Sequence, residues 1–233
     1  MQKLLCLWEL PTKRALLAAL FVLSIAFNLF GQTDSTIFRP QTMIGFQYGL
    51  SWNQVNFSPR VLQTNLEANR FGALFRYTGQ AHLGIQLEFA YDQRGWAETR
   101  DGVSSNYIRT IDYLEFAAFS HISIGKGKVR PVILLGSYLS YPIAQEEIIP
   151  SDPIWTTAPL PYYNDPLPER LQYGLAGGLG FELNFESISF QVDARYRSAL
   201  GGIFSSDNED FFFSNSQGLT AQASLFLRLF GGS

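Results

Sequence analysis

Alternation of bulky apolar residues with small or polar residues constrains the fold of this chain more than any other feature of its sequence. The pattern recurs past Pro40 in eight segments, whereas no stretch there holds a convincing apolar stripe of period 3.6. In the first segment, Ile44 and Phe46 alternate with Gly45 and Gln47. Because successive side chains of a β-strand point to opposite faces, the alternation predicts an all-β protein.

The eight predicted strands form an even-numbered set, which suits a closed antiparallel barrel with no free edge. The fourth strand changes phase near Tyr113, which indicates a β-bulge, and the fifth is too uniformly apolar to give its phase. Inward and outward faces are therefore assigned only on the other six strands. The predicted ranges are 44–52, 71–78, 83–92, 107–123, 129–141, 171–183, 188–197 and 219–229.

The bulk of the two strand faces decides which of them points into the barrel. An eight-stranded barrel has an interior just wide enough for its own side chains. The apolar face is too bulky for that space, whereas the opposite face is rich in Gly, Ala and Ser with scattered charges. A soluble, lipocalin-like barrel is the alternative, and it would show the reverse arrangement. The sequence therefore predicts an eight-stranded antiparallel transmembrane β-barrel whose apolar face contacts outer-membrane lipid.

The connections between the predicted strands alternate strictly between long and short. The long ones span 53–69, 94–106, 142–170 and 198–217, and the short ones lie at 79–82, 125–127 and 185–186. Outer-membrane barrels have short periplasmic turns and long extracellular loops. The alternation therefore places both chain ends in the periplasm.

The first 31 residues resemble a cleaved secretory signal. Lys3, Lys13 and Arg14 precede the apolar run 15–30, and a cut after Gly31 fits the small-residue cleavage point. A membrane anchor is the alternative, but the run is shorter than the roughly 20 residues that a spanning helix needs. We expect residues 1–31 to be a cleaved signal peptide and residues 32–233 to form the outer-membrane barrel domain.

Composition excludes several function classes. Charged residues make up 16% of the chain and the net charge is −3, so the basic footprint of a nucleic-acid-binding protein is missing. One Cys and two His leave too few ligands for a zinc site or a disulfide framework. We therefore expect no cofactor, no metal and no nucleic acid partner.

The predicted inward face carries four charges of each sign. A proton or solute path is one interpretation of this set, and a neutralised ion-pair plug is the other. Eight strands leave no continuous channel, which favours the plug. A tight turn at Phe185–Glu186 would place Gly178 opposite Asp193 and so give each large side chain a small neighbour. The predicted network consists of Arg76, Glu88, Asp92, Glu182, Asp193, Arg195, Arg197 and Arg228.

Two predicted outside loops carry aromatic residues that could contact a partner. The loop 144–170 is rich in Pro and aromatic residues, which is typical of a stiff docking surface. In the last loop three adjacent Phe follow a run of acids, and an aromatic belt at the membrane interface is the alternative interpretation. The candidate contact residues are Trp155, Tyr162, Tyr163, Phe211, Phe212 and Phe213.

The two histidines of the chain are its candidate catalytic bases, and a catalytic base must lie near the substrate. Some small outer-membrane barrels are lipid hydrolases, which would need a Ser/His/acid constellation near the outer rim. His82 and His121 both fall at the periplasmic end of the predicted topology. We therefore expect no enzymatic activity.

Several segments resemble the PorT (SprT) family of outer-membrane barrels from the Bacteroidota. They are NFSPRV at 56–61, RYTGQAHLGIQLEFAYDQRGW at 76–96, RTIDYLEFAAFSHISIG at 109–125, LLGSYLSY at 134–141, RYRSALGGIF ending at Phe204, and the FFFSNS region that follows it. The resemblance implies a non-enzymatic component of the type IX secretion system, which also supports gliding in some members. It implies other secretion-machine proteins as partners. A freestanding surface barrel that binds a ligand or partner through its extracellular loops is the alternative hypothesis.

Overall fold

The computed structural model describes residues 39–100, 103, 106–153, 155, 163, 171–204 and 213–230. The predicted signal segment 1–31 lies outside these residues. The chain from Arg39 to Ser233 forms one compact unit. In the described parts of the chain, no helix is long and apolar enough to span a membrane.

Nine antiparallel strands in the described residues form one sheet. They are β1 (Gln41–Ser58), β2 (Gln63–Thr64), β3 (Leu66–Thr78), β4 (Leu83–Glu98), β5 (Tyr107–Ser123), β6 (Val129–Ile148), β7 (Gln172–Asn184), β8 (Ile188–Gly202) and β9 (Phe213–Phe230). The order β3-β1-β9-β8-β7-β6-β5 is closed into a ring by β4, which pairs with both β3 and β5. The short β2 pairs only with the end of β4. The prediction of a closed eight-stranded antiparallel barrel is confirmed, with β2 as a small addition.

Closure satisfies the backbone of every long strand on both sides. In hydrocarbon, each unpaired backbone N–H or C=O costs roughly several kcal/mol of free energy. A lipid-exposed sheet therefore cannot leave an edge open. The ladder from Thr42–Phe230 to Ser58–Phe213 joins the first and last long strands over almost their whole length. We call the end with the turns at 79–82, 124–128 and 185–187 the short-turn end, and the opposite end the long-loop end.

The strands extend further toward the long-loop end than the sequence predicts. The predicted loop 53–69 is largely strand, because β1 runs to Ser58 and β3 starts at Leu66. On β1 the inward Val55 and Phe57 are buried, while the outward Gln54 is polar. At the long-loop end of β1, the inward face is therefore apolar and the outward face is polar. A prediction based on outward apolar residues ends the strand before its true end.

The ladder between β5 and β6 corrects one prediction. Burial alternates along the whole of β5, with Tyr113 and Glu115 on the same inward face, so the strand does not change phase. The register shift lies in the partner: Asp112 pairs with Ala144 and Tyr113 pairs with Pro142. The extra residue is therefore Ile143 on β6, and the bulge belongs to that strand.

The outward face is apolar up to a row of aromatic side chains with polar partners. Phe46 is 61% exposed, whereas its inward neighbour Gln47 is 2% exposed, which confirms the predicted faces. Toward the long-loop end of this face, the Tyr48 hydroxyl donates to Asn69 Oδ1 at 2.7 Å. The Tyr196 hydroxyl likewise hydrogen-bonds Gln217 Oε1 at 3.0 Å. Aromatic residues with one wet end mark the membrane–water boundary.

Replacing Leu225 by Arg tests the lipid-facing assignment. Leu225 lies outward in the middle of β9, so we expect a loss of about 2–4 kcal/mol in folding free energy in lipid vesicles. The same substitution at Leu229, near the short-turn end of the same strand and face, should cost only about 0–1 kcal/mol. Denaturant unfolding followed by heat-dependent gel migration measures both. Equal effects at the two positions would contradict the assignment.

Candidate functional site

The barrel lumen holds a balanced set of buried charges. Five arginines and five carboxylates that form ion pairs with one another point inward along the described strands, and each residue is no more than 5% exposed. Because unpaired charges in such a confined space are costly, the cancellation is what allows the set to be buried at all. The members are Arg70, Arg76, Arg94, Arg195 and Arg197 with Glu88, Asp92, Glu115, Glu182 and Asp193.

In the middle of the lumen, Arg195 on β8 joins two carboxylates. Its Nη1 donates to Glu88 Oε1 at 2.7 Å and its Nε to Asp193 Oδ2 at 2.5 Å. The guanidinium lies 4.5 Å from the Phe119 ring centroid. Arg70 on β3 links this group to the next, with Nη2 3.2 Å from Glu88 and Nη1 2.7 Å from Glu115.

Toward the long-loop end, Asp92 and Glu115 share three arginines. Arg197 Nη1 and Arg94 Nε each lie 2.5 Å from Asp92 Oδ2. Arg94 also pairs with Glu115, which accepts a hydrogen bond from Ser140 Oγ at 3.0 Å. The pairs connect β4, β5, β6 and β8 across the lumen, so they cross-link opposite walls.

Toward the short-turn end, Arg76 on β3 fills the lumen. Its Nη1 donates to Glu182 Oε2 at 3.0 Å, and its Nε to Gln86 Oε1 at 2.9 Å. The guanidinium stacks 3.8 Å over the Phe226 ring. His121 Nε2 lies 3.3 Å from the same oxygen of Glu182. These hydrogen-bonded side chains fill the lumen at its short-turn end.

Glycines on β7 make room for the long side chains of β8. Gly178 faces Arg195, and a Cβ there would lie 2.6 Å from Arg195 Cγ. Gly180 faces Asp193, and a Cβ there would lie 2.5 Å from Asp193 Cβ. The predicted pairing of Gly178 with Asp193 is wrong by two residues, because the turn after Asn184 is longer than assumed. The predicted match of small with large residues nevertheless exists in the true register.

The structure places Arg228 outside the charge network, which corrects its assignment. Arg228 lies at the short-turn end of β9, where Nη1 donates to the Glu186 carbonyl oxygen at 2.5 Å. Its Nη2 donates to the carbonyl of Phe185 at 3.4 Å. The predicted inward phase of β9 is correct, but Arg228 lies at the short-turn end of the barrel, where it stabilises a turn. The other seven predicted members lie in the lumen as described above.

Sequence reasoning missed three members of the network. Arg70 precedes the predicted second strand, Arg94 was placed in a loop, and Glu115 lies on the strand whose faces were not assigned. Two of them nevertheless keep the period-two phase of a recognised inward residue, as Arg70 does with Arg76 and Arg94 with Asp92. Continuing the alternation past the end of the apolar face would find Arg70 and Arg94, but not Glu115.

A buried cluster of apolar and aromatic residues closes the lumen at the long-loop end. The Tyr107 ring stacks on the Tyr163 ring at a centroid distance of 4.3 Å and on the Trp155 ring at 6.3 Å. The Arg100 guanidinium covers Trp155 at 4.5 Å. We call this group the mouth cluster; its members are Val55, Phe57, Trp96, Tyr107, Ile111, Tyr113, Trp155, Tyr163, Ile203 and Phe204.

The mouth cluster corrects the prediction that the loop aromatics form a docking surface. Trp155 is 0% exposed and Tyr163 is 5% exposed, so both turn inward. The Tyr163 hydroxyl donates to Glu98 Oε2 at 3.0 Å, and burial, with this carboxylate nearby, raises the pKa of the Tyr163 phenol. Phe213 is 64% exposed, and its role as a contact residue stays a prediction. The remaining candidates Tyr162, Phe211 and Phe212 lie outside the described residues.

Each of the two histidines contacts a neighbouring group of the barrel. His82 Nδ1 lies 2.9 Å from the Ser123 carbonyl oxygen in the first short turn. His121 is buried against Glu182 in the lumen. In the described residues no group of three or more His, Cys, Asp and Glu side chains could hold a metal ion.

Comparison with protein families gives the class of the barrel. The family described as the outer membrane protein beta-barrel domain matches residues 30–205. The chain belongs to this family. The closed ring, the apolar outer face and the filled lumen fit an outer-membrane β-barrel, and the protein is accordingly located in the outer membrane.

Solved outer-membrane barrels are similar to this one at low sequence identity. Ail of Yersinia pestis is 14% identical, with a TM-score of 0.40, and the match covers 81% of this chain and 99% of Ail. OprG of Pseudomonas aeruginosa is 12% identical, with a TM-score of 0.47, and the match covers 82% and 95%. Neisserial surface protein A is 10% identical, with a TM-score of 0.43, and the match covers 78% and 95%. No curated protein matches the chain.

Replacing Arg195 by Leu tests the plug. The change leaves Glu88 and Asp193 without their main cation, so we expect a loss of about 3–5 kcal/mol in folding free energy. Arg39→Leu removes the same charge from an exposed position and should change stability by about 0.5 kcal/mol or less. Unfolding of the reconstituted barrel in denaturant compares the two. A silent Arg195→Leu would refute the inward network.

Replacing Trp155 by Ala tests the mouth cluster. Removing a fully buried indole costs about 3–5 kcal/mol, which should release the loop from the barrel mouth. We expect limited proteolysis of the folded protein to cut faster between residues 149 and 171. Phe213→Ala, which truncates an exposed aromatic residue, should leave that rate unchanged. Unchanged cleavage in both variants would show that Trp155 does not anchor the loop.

Proposed function

We propose that this barrel is a non-enzymatic accessory component of type IX protein secretion, and of gliding where that occurs, acting through protein–protein contacts. The observation that carries the proposal is the closed lumen. A barrel filled by paired charges and capped by aromatic rings offers no wide path for a solute. Its described surfaces are left to act by contact: the loops, the short turns and the lipid-facing wall.

The choice of secretion rests on the resemblance to the PorT family. Two of the segments that carry it, 76–96 and 109–125, make up most of the paired strands β4 and β5. These strands hold Glu88, Asp92 and Glu115, so the resemblance includes residues that build the lumen plug.

The surroundings of the histidines support a non-enzymatic role. A hydrolase for outer-leaflet lipid needs a base at the long-loop end, where the acyl ester bonds meet the protein. His82 lies in a short turn at the other end, and His121 faces the lumen interior, away from lipid. Among the described residues, neither histidine is placed to activate a nucleophile on an outer-leaflet lipid.

A freestanding surface barrel that binds a partner through its loops is the second candidate. The observation that favours it is exposed apolar surface at the long-loop end, where Leu62, Leu200 and Phe213 face outward. Apolar side chains in that position are typical of a contact with another protein. The two candidates differ in the consequence of losing the protein.

Deletion of the gene tests the secretion proposal. We expect exported cargo to accumulate in the periplasm of the deletion strain, and the wild-type gene to restore export. Immunoblots of periplasmic and external fractions measure both. Normal export of all cargo would overturn the proposal and favour the freestanding barrel, whereas a changed lipid composition with normal export would indicate an enzyme.

A surface variant separates contact from folding. Leu200→Ser with Phe213→Ser changes exposed side chains only, so the barrel should still fold and show heat-dependent gel migration. If the long-loop end contacts the secretion machine, this variant restores export only in part. Phe230→Ser, which changes an exposed residue at the opposite end, is the matched control and should restore export fully.

A further inference from the structure

Basic side chains gather at the short-turn end of the barrel. Lys126 and Lys128 are exposed in the turn between β5 and β6, and Arg130 follows at the start of β6. Arg39 precedes β1, and Arg228 ends its neighbour β9. We call these five residues the basic rim. Glu186 is the exposed acid in the described turns of this end.

The turn that carries both lysines is fixed to its surroundings. Gly125 has a φ of +90°, a left-handed conformation that glycine adopts without strain. Arg130 Nε donates to the Gly127 carbonyl oxygen at 3.0 Å, and Arg130 also lies 4.0 Å from Glu182. The backbone N–H of Asn184 donates to the Lys128 carbonyl oxygen at 2.7 Å, which joins this turn to the strand beside it. The backbone of the turn that carries the lysines is therefore held in place by its neighbours.

Exposed apolar side chains flank the lysines on the lipid-facing wall. Ile124 and Val129 bracket the turn, and Phe185 lies in the next turn along the rim. Lysine stems pack along apolar surface while the ammonium groups reach polar surroundings. An apolar wall directly beside cationic groups matches a phospholipid, whose acyl chains and phosphate lie in the same order.

We propose that the basic rim binds the phosphate headgroups of anionic phospholipids in the periplasmic leaflet. Lys126 and Lys128 supply the attraction, and Ile124, Val129 and Phe185 contact the first acyl carbons. An acidic protein segment would satisfy the charges alone, whereas a phospholipid meets both the charges and the apolar side chains of the lipid-facing wall. The proposal depends on the outer-membrane location alone and holds whether or not the protein serves secretion.

Spin-labelled lipids measure this preference directly. The full barrel is reconstituted in phosphatidylcholine bilayers, and electron paramagnetic resonance compares labelled phosphatidylglycerol with labelled phosphatidylcholine. We expect the wild type to favour phosphatidylglycerol about twofold to fivefold, with a smaller preference at high salt. Lys126→Gln with Lys128→Gln should bring the ratio close to equality, while Lys126→Arg with Lys128→Arg should retain it.

An arginine at the other end of the barrel provides the positional control. Arg60 is exposed at the long-loop end, and Arg60→Gln should leave the lipid preference unchanged. The proposal is overturned if the wild type treats the two lipids equally, or if Arg60→Gln lowers the preference as much as the lysine variant. Binding of a soluble acidic peptide to the rim without any lipid preference would also overturn it, and would assign the rim to a protein partner. Heat-dependent gel migration confirms that each variant is folded.

Discussion

The structure depends on closure of the hydrogen-bonded ring. Lipid offers no partner for a backbone N–H or C=O, so β1 must meet β9 and β4 must meet both β3 and β5. Eight long strands close around a space that only side chains can fill. That space must then hold groups that fit and neutralise one another. The buried ion pairs, the glycines opposite Arg195 and Asp193 and the outward apolar face are all consequences of this one requirement.

The long strands pass through two environments, the membrane and the water at the long-loop end. Within the membrane the outside is lipid and the lumen is polar, so Phe46 points out and Gln47 points in. Nearer the long-loop end the polarity reverses, because Gln54 lies on the outward face of β1 while Val55 and Phe57 point into the mouth cluster. The barrel is therefore filled in two ways, by ion pairs in the membrane and by aromatic packing above it. The two ends of the barrel differ in character, with exposed apolar residues at the long-loop end and exposed cations at the short-turn end.

The predictable part of the site follows the strands whose alternation is clean. Glu88, Asp92, Asp193 and Arg195 were identified from phase alone, because period two assigns a side before any contact is known. Arg94 and Arg70 were missed because polarity inverts where the strands leave the lipid, and the outward apolar signal ends there. Trp155 and Tyr163 were expected at the surface, because a loop rich in Pro and aromatic residues carries no periodicity that shows which way its side chains turn.

The sequence by itself determined the class of fold, the number of long strands, the face that meets lipid and the near cancellation of inward charge. These properties depend on local alternation and composition, which every segment carries independently. Only the tertiary structure decided which carboxylate each arginine meets, the two-residue offset between β7 and β8, and the inward turn of Trp155. These depend on the register of strands far apart in sequence. A shift of two residues along a ladder preserves every side-chain face and still changes every partner.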